Sequence, residues 1–141
     1  KVKVDERGRM RGTAVVQALE EILKKGMVPF MVCSTAGTTE TGSFDAIDEI
    51  SDLAEKHGLW HHVDGSWGGS LILSDKYQSF FKGLERADSF TWNPHKMMSV
   101  PLTCSAFMAK NKGVMKREIQ SNDADYIYHD YDNSEYDTGP V

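Results

Sequence analysis

The chain has 141 residues, of which 40% are hydrophobic and 26% are charged, a composition typical of one globular domain with a modest core. Its net charge of −5 argues against nucleic acid as a partner, and no apolar run approaches the roughly 18 residues that a membrane-spanning helix needs. Cys33 and Cys104 form no C-x-x-C pair, which favours a reduced, cytosolic setting in which both pack as small apolar side chains.

The first part of the chain predicts a helix, a strand and a second helix. Residues 12–26, "GTAVVQALEEILKKG", carry apolar side chains at helical spacing and end at a glycine. Residues 27–35, "MVPFMVCST", are nearly all apolar, which is expected for a strand covered on both faces. Residues 44–58, "FDAIDEISDLAEKHG", predict an amphipathic helix with Asp45 as its N-cap and Gly58 as its stop.

Three further strands are predicted at residues 59–64, 88–92 and 104–110, and residues 121–139 read as a loop rich in Asp and Tyr. The resulting order alternates strands with helices. Such alternation predicts an α/β fold with a largely parallel sheet flanked by helices, in which ligands bind at the carboxyl ends of the strands. The chain begins without a methionine and closes without a terminating element, so we expect a fragment of a longer protein.

The loop after the first strand, residues 36–42, has the sequence "AGTTETG". Small residues and hydroxyls at a strand end can bring backbone amides, Thr38 and Thr39 close to a polar ligand. The same composition also suits a flexible connection whose threonines only satisfy backbone groups.

Asp64 ends the strand of residues 59–64 and begins the stretch "DGSWGGS". A carboxylate at this place either caps a following helix or faces a ligand. Because Gly65, Ser66, Gly68 and Gly69 are small, we expect the strand end to be open enough for a flat ligand to lie against the backbone.

Lys96 follows "TWNPH" at the end of the strand of residues 88–92. Pro94 stiffens this turn, and a lysine on such a turn is commonly a solvated charge. Here the apolar Trp92, Met97 and Met98 surround it, and partial burial would make the amine a nucleophile toward a carbonyl. A carboxylate at one strand end and an amine at another are the two groups that a pyridoxal-phosphate site requires.

A metal site is the competing interpretation of the histidines. His61, His62, Asp64 and His95 are all metal-ligand types. Adjacent histidines on a strand point to opposite faces, however, so one ion cannot readily bind both. The sequence therefore predicts no metal.

The motifs "HVDGSWGG" and "NPHKMM" resemble those of the pyridoxal-phosphate-dependent group II amino-acid decarboxylases, which include glutamate, cysteine-sulfinate and aromatic-amino-acid decarboxylases. The motifs "TAGTTETGSFDAIDEI" and "YDTG" occur in the same order as in that family. The resemblance implies that residues 1–141 belong to the coenzyme-binding large domain of a fold type I, aspartate-aminotransferase-like enzyme. It also implies a catalytic-loop region at residues 119–137.

The resemblance implies a role for each matching residue. Lys96 would hold pyridoxal 5'-phosphate as a Schiff base, and Asp64 would pair with the pyridine nitrogen of the coenzyme. The other implied coenzyme contacts come from Asn93 and His95 near the phosphate, from Thr38 or Thr39 in the hydrogen-bond network, and from Ser66 under the ring. Gly65 and Ser66 stand where the family commonly has two alanines. Tyr126 matches the loop tyrosine that protonates the carbon which has lost CO2.

The resemblance also implies a small-molecule substrate and a cytoplasmic homodimer. "NPHKMM" is more similar to the glutamate and cysteine-sulfinate branch, so an acidic amino acid such as glutamate, cysteine sulfinate or aspartate is expected. The alternatives are an aromatic-amino-acid decarboxylase, another pyridoxal-phosphate lyase or transaminase, and an isolated, non-catalytic fragment that cannot bind the coenzyme alone.

Overall fold

The computed structural model describes residues 1–119 of the chain. The two predicted helices are present as α1 (Gly12–Lys24) and α2 (Ile47–His57). Both end at a glycine with positive φ, Gly26 at 70° and Gly58 at 62°, a backbone conformation that side chains with a Cβ rarely adopt. The helix stops predicted from the sequence are therefore confirmed.

Asp45 does not cap α2 as predicted. The helix begins at Ile47, and Ala46 occupies the cap position without a side-chain cap. The Asp45 carboxylate instead accepts hydrogen bonds from the backbone amides of Met10, at 2.6 Å, and Thr35, at 2.7 Å. Asp45 thus joins the segment before α1 to the end of the first strand, a role set by contacts distant in sequence.

Four strands form one sheet in chain order, and they are β1 (Met31–Thr35), β2 (Trp60–Gly65), β3 (Ser89–Trp92) and β4 (Ala106–Ala109). The pairs β1–β2 and β2–β3 are parallel. The α/β architecture with a mostly parallel sheet flanked by helices is therefore confirmed.

The first strand is shorter and less covered than the sequence predicts. Residues 27–30 lie outside it, since Pro29 has no N–H to donate to a ladder, and Val28 and Phe30 are 86% and 77% exposed. Within β1, Val32 is buried but Cys33 is exposed. The expectations that both faces are covered and that Cys33 is packed are wrong for this chain, because the helices within the described residues contact one face only.

The core lies between the helices and one face of the sheet. One cluster joins α1, α2 and β1, and its buried members are Met10, Val15, Leu19, Val32, Ile50, Ala54 and Leu59. A second cluster lies toward the carboxyl ends of the strands and comprises Ala36, Ile47, Val63, Phe81 and Ala87. Three 3-10 helices between β2 and β3, which the sequence did not predict, supply part of it: Gly68–Leu73, Gln78–Phe81 and Leu84–Arg86.

The side chains of β2 alternate between two environments. His61 and Val63 are buried on the face that carries the helices. Trp60, His62 and Asp64 are half-buried on the opposite face. This period of two residues, inherent in an extended strand, separates core side chains from candidate site side chains along one short segment.

The chain comprises two compact units, Lys1–Met108 and Ala109–Val141. The second unit contains one described helix, α3 (Val114–Ile119). Among residues 1–119, no helix has the length and apolar character needed to cross a bilayer. Tyr126 and most of the predicted catalytic-loop region lie outside the described residues.

Candidate functional site

The predicted site residues gather where the parallel strands end. In the strand register Asp64 lies opposite Thr35 of β1 and opposite Thr91 of β3, so it is central at this edge of the sheet. The Ala36 amide donates to the Asp64 carbonyl oxygen at 2.8 Å, which holds the start of the 36–42 loop against β2. Because parallel strands end at one edge, the loops that carry Thr38, Asp64 and Lys96 begin side by side.

Asp64 is held as a carboxylate. Its Oδ1 accepts a hydrogen bond from the Ser66 amide at 2.9 Å. Burial alone would raise the pKa of Asp64, but hydrogen bonding by Ser66 and the nearby charges of His62 and Lys96 outweigh burial and lower that pKa. The following 3-10 helix begins only at Gly68, so Asp64 closes a tight turn and does not cap a helix.

Lys96 is half-buried on the turn after β3. Its amide donates to the Asn93 carbonyl oxygen at 3.0 Å. When the Asn93 side-chain amide is oriented to suit its neighbours, its oxygen accepts from Lys96 Nζ at 3.2 Å, and its nitrogen donates to Ser105 Oγ at 3.1 Å. Pro94 is buried beside them. The turn predicted from "NPHK" is therefore present, with Asn93 as the direct partner of the amine.

The other predicted coenzyme contacts are engaged to different degrees. His95 Nδ1 lies 2.5 Å from the Cys104 carbonyl oxygen and 3.2 Å from the Cys104 amide nitrogen, so the ring is held against the backbone of Cys104. Thr38 closes the loop on itself, since its Oγ1 lies 2.7 Å from Thr41 Oγ1 and accepts from the Ser43 amide at 3.1 Å. Thr39 is exposed. Thr38 therefore satisfies groups within its own loop, as the alternative interpretation of the sequence expected. The exposed Thr39 is accessible to a ligand.

The glycines after Asp64 serve a different purpose from the one predicted. A Cβ on Gly65 would collide with the ring of Phe90, and a Cβ on Gly68 would meet the Ala36 carbonyl oxygen at 2.6 Å. On Gly69 it would contact the Phe90 ring at 3.0 Å. These glycines allow the protein to pack closely on itself, so the expectation that they keep the strand end open for a flat ligand is wrong.

His62 is a site residue that sequence reasoning considered only as a metal ligand. Its Nδ1 lies 2.8 Å from Ser89 Oγ and its Nε2 lies 3.3 Å from Thr91 Oγ1, while its ring stacks on Phe107 with 5.9 Å between centroids. Burial lowers the pKa of His62, and the Asp64 carboxylate acts in the opposite direction. The period of two along β2 was the signal that places His62 on the same face as Asp64.

His61 points into the core. Its two ring nitrogens contact Ser34 Oγ at 2.8 Å and Ser51 Oγ at 3.1 Å. The opposite orientations of His61 and His62 follow the strand geometry expected from the sequence. Within residues 1–119 no cluster of three or more His, Cys, Asp or Glu side chains has the arrangement of a metal site.

A cleft of about 670 Å3 lies elsewhere on the chain, and its lining includes Phe44, Phe80, Arg9, Arg11 and Lys82. It contains none of the described residues that the sequence predicts for the site. Its cations are largely neutralised, since Arg9 pairs with Asp5, Arg11 with Glu49 and Lys82 with Asp48. We therefore place the candidate site at the strand ends, where Asp64 and Lys96 lie, and not in this cleft.

The geometry at the strand ends agrees with comparisons to known proteins. The family described as the pyridoxal-dependent decarboxylase conserved domain matches residues 1–140. The chain belongs to this family. The resemblance inferred from "HVDGSWGG" and "NPHKMM" is thereby confirmed.

Individual members of the pyridoxal-dependent decarboxylases show the extent of the match. The acidic amino acid decarboxylase GADL1 of Bos taurus is 45% identical over 98% of this chain, which covers 27% of that protein. Mouse CSAD in apo form is 43% identical, with a TM-score of 0.83 over 91% of this chain and 27% of that chain. Catharanthus roseus tryptophan decarboxylase in complex with L-tryptophan is 29% identical, with a TM-score of 0.78 over 87% of this chain and 26% of that one.

These matches confirm the predicted fold class, part of the large domain of a fold type I pyridoxal-phosphate enzyme. The chain spans about a quarter of the length of the relatives it matches.

The residues present fit a pyridoxal-phosphate coenzyme. Asp64 is kept ionised by its neighbours, as a partner for a protonated ring nitrogen must be. Lys96 follows β3 and Asp64 lies near the end of the adjacent β2, and the charge of Lys96 is one of the contributions that lower the pKa of that carboxyl. On the face of β2 opposite the buried His61 and Val63, His62 and Asp64 are only half-buried, so the carboxylate is accessible from that side.

Proposed function

We propose that this chain is part of the coenzyme-binding large domain of a longer pyridoxal-phosphate-dependent decarboxylase, which removes the α-carboxyl group of an amino acid as CO2. The domain part would comprise residues 1–141, with the catalytic-loop region at 119–137. The observation that carries the proposal is the ionised Asp64 beside Lys96 at the ends of adjacent parallel strands. Family membership over residues 1–140 supports it.

When bound, pyridoxal phosphate supplies an electron-withdrawing ring that accepts the electrons left by the departing CO2. Lys96 would hold the coenzyme through its Nζ, and Asn93, whose side-chain oxygen accepts from that Nζ, would set the position of the amine. Asp64 would keep a proton on the ring nitrogen by a charge-assisted hydrogen bond. Lys96 and Asp64 are therefore the proposed catalytic residues of the described part.

The remaining roles are proposed for residues around this pair. His95 and Asn93 would lie near the coenzyme phosphate, and Thr39, with Thr38, would contribute to the hydrogen bonds of the bound coenzyme. The Cβ of Ser66 would pack against the ring face. Tyr126 would deliver the proton to the carbon that has lost CO2, a role that depends on a segment outside the described residues.

We propose an acidic amino acid as the substrate, with glutamate, cysteine sulfinate and aspartate as the candidates. The identity of 45% to a protein named acidic amino acid decarboxylase, against 29% to a tryptophan decarboxylase, supports the acidic branch. We further propose a cytoplasmic homodimer. The free thiols of Cys33 and Cys104 support a reducing compartment, and the family resemblance supports the dimer.

The test is CO2 release by the full-length protein with added pyridoxal phosphate. Glutamate, cysteine sulfinate, aspartate and an aromatic amino acid are offered in parallel. Lys96→Ala should abolish release and the absorbance of covalently held coenzyme, whereas Lys56→Ala, which removes an exposed amine from the last turn of α2, should change neither.

Release from an acidic substrate alone supports both the reaction and the branch. Release from the aromatic amino acid alone would refute the acidic assignment. Transfer of the amino group without CO2 would refute decarboxylation, and absence of coenzyme absorbance in the full-length protein would refute the coenzyme site itself.

A further inference from the structure

The Asn93 side chain makes three hydrogen bonds. In the orientation that suits its neighbours, its nitrogen donates to the Trp92 carbonyl oxygen at 3.0 Å and to Ser105 Oγ at 3.1 Å, and its oxygen accepts from Lys96 Nζ at 3.2 Å. In the reverse orientation the nitrogen would face the Lys96 ammonium, donor against donor, and the oxygen would face the Trp92 carbonyl oxygen, acceptor against acceptor. The two acceptors therefore decide which end of the amide faces the amine.

Ser105 is the acceptor that comes from outside the turn. The Trp92 carbonyl belongs to the residue before Asn93, whereas Ser105 immediately precedes β4. The segment that carries Ser105 is joined to the turn beside it, since the His95 amide donates to the Cys104 carbonyl oxygen at 3.4 Å. Ser105 Oγ also lies 3.4 Å from His95 Nδ1. The Ser105 hydroxyl thus lies between the side chains of Asn93 and His95.

The orientation of a primary amide is fixed when both of its hydrogens and its oxygen have partners. Without the Ser105 hydroxyl, one Asn93 hydrogen would lose its acceptor in the protein. Ser105 is exposed, so water can partly replace the hydroxyl, and the effect expected of its removal is moderate. Lys96, half-buried on the same turn, would then spend less time in the direction that Asn93 gives it.

We propose that Ser105 is a positioning residue for the Lys96 amine, and that it acts by orienting the Asn93 side chain whose oxygen accepts from Nζ. This inference rests on the proposed function of Lys96 as the residue that holds pyridoxal phosphate. An amine held in one direction meets the coenzyme carbonyl more often in a reactive geometry. The role concerns the amine and is distinct from the phosphate contacts proposed for Asn93 and His95.

The first test needs no coenzyme. The full-length protein is labelled isotopically at the asparagine nitrogens, and exchange of the Asn93 side-chain hydrogens with solvent is followed by NMR, with the resonance assigned by its loss in Asn93→Ala. We expect faster exchange in Ser105→Ala, because one hydrogen has lost its acceptor, and the wild-type rate in Ser105→Thr, which keeps a hydroxyl. Ser79→Ala, which removes the hydroxyl of an exposed serine on a 3-10 helix, is the matched control. Unchanged exchange in Ser105→Ala would overturn the inference.

The second test measures the amine. Covalent capture of added pyridoxal phosphate, followed by absorbance, should be about two- to tenfold slower in Ser105→Ala than in the wild type, the ratio that corresponds to the loss of one ordinary hydrogen bond. Ser105→Thr and Ser79→Ala should retain the wild-type rate. In an Asn93→Ala background, Ser105→Ala should produce no further change, since the residue through which it acts is gone. A full additional loss in that background would contradict the proposed role.

Pyridoxine 5'-phosphate, which lacks the carbonyl that Lys96 would attack, separates an effect on the amine from an effect on the phosphate. Its dissociation constant should be the same in Ser105→Ala and in the wild type. A dissociation constant raised as much as capture is slowed would overturn the inference, because Ser105 would then act on phosphate binding through Asn93 or His95.

The two proposals fail differently. Faster Asn93 exchange in Ser105→Ala, together with no capture of pyridoxal phosphate by the wild type, would refute the proposed function and with it the role of Ser105 toward the coenzyme. Unchanged exchange and unchanged capture in Ser105→Ala, with normal capture by the wild type, would refute the role of Ser105 alone.

Discussion

The buried His61 makes the fold sensitive to acid. Ser51 Oγ donates to the Gly83 carbonyl oxygen at 2.9 Å, so it accepts from His61 Nδ1, which must carry the hydrogen. His61 Nε2 then accepts from Ser34 Oγ at 2.8 Å. Both hydroxyls are used by the neutral imidazole, and the side chain is 1% exposed, so a proton added to His61 would place a charge in the core.

Burial lowers the pKa of His61 from its ordinary 6.5 to about 4, with Asp88 acting against burial and His62 and Arg86 acting with it. Above about pH 6.5 His61 is neutral in the folded and unfolded chains alike, and it contributes nothing to the pH dependence of stability. As the pH falls below that value, the unfolded chain takes up the proton and the folded chain does not, so the folded state loses stability. The loss amounts to about 2 kcal/mol between pH 7.5 and pH 5 and about 3 kcal/mol once His61 is protonated in both states.

The assay is the free energy of unfolding of the full-length protein in denaturant, at about pH 7.5 and about pH 5. The comparison is a triple variant, Ser34→Ala with Ser51→Ala and His61→Leu, which replaces all three polar groups by apolar ones and avoids unpaired hydroxyls. Other titrating groups are common to both proteins. We expect the loss of stability on acidification to be about 2 kcal/mol smaller in the triple variant.

Equal losses in the two proteins would refute the reasoning. So would a His61 imidazole that titrates close to its ordinary value in an NMR pH series, because the burial inferred for the ring would then have no energetic effect. The single variant His61→Leu is expected to be less stable than the triple variant at neutral pH by roughly 1–3 kcal/mol, since it leaves the Ser34 hydroxyl unpaired in the core.

Three further predictions concern the site and its support. Asp64→Asn should lower turnover of the full-length enzyme by roughly 10²- to 10⁴-fold while coenzyme absorbance is largely retained, and equal losses of turnover and absorbance would contradict its role. Tyr126→Phe should divert the reaction toward amino-group transfer, because the carbon that has lost CO2 would no longer receive its proton from Tyr126. The assay is inactivation during turnover that added coenzyme reverses, and unchanged product ratios would exclude Tyr126 as the proton donor. Gly65→Ala should destabilise the protein by about 1–3 kcal/mol in denaturant unfolding, because the new Cβ meets the Phe90 ring, and Phe90→Leu in the same chain should recover part of the loss.

Local patterns in the sequence were sufficient to predict the first two α-helices and the presence of four strands, and to place Asp64 and Lys96 at strand ends. The spacing of Val15 and Leu19 and the glycines that end each helix specify α1 and α2, because these features act within a few residues. The places of Asp64 and Lys96 follow from strands of known order that end at one edge. The stiff turn around Pro94 could likewise be inferred from the proline itself.

Features that depend on distant partners could not be predicted in this way. The position of Asp45 before a helical pattern predicted a helix cap. Its carboxylate instead accepts hydrogen bonds from the amides of Met10 and Thr35, which are distant in sequence. The glycines after Asp64 were interpreted as space for a ligand because the sequence does not reveal that Phe90 and Ala36 fill that space. The Ser34–His61–Ser51 group is likewise assembled from three elements and has no local signature.

The alternation of buried and half-buried side chains along β2 has a consequence for the evolution of the sequence. Val63 lies in the interior and His62 lies on the face that carries Asp64, although the two residues are adjacent in the chain. Thermal tolerance and chemistry can therefore be selected at adjacent codons with little interference. A single-residue insertion in this strand would exchange the two sets at once and lose both properties together.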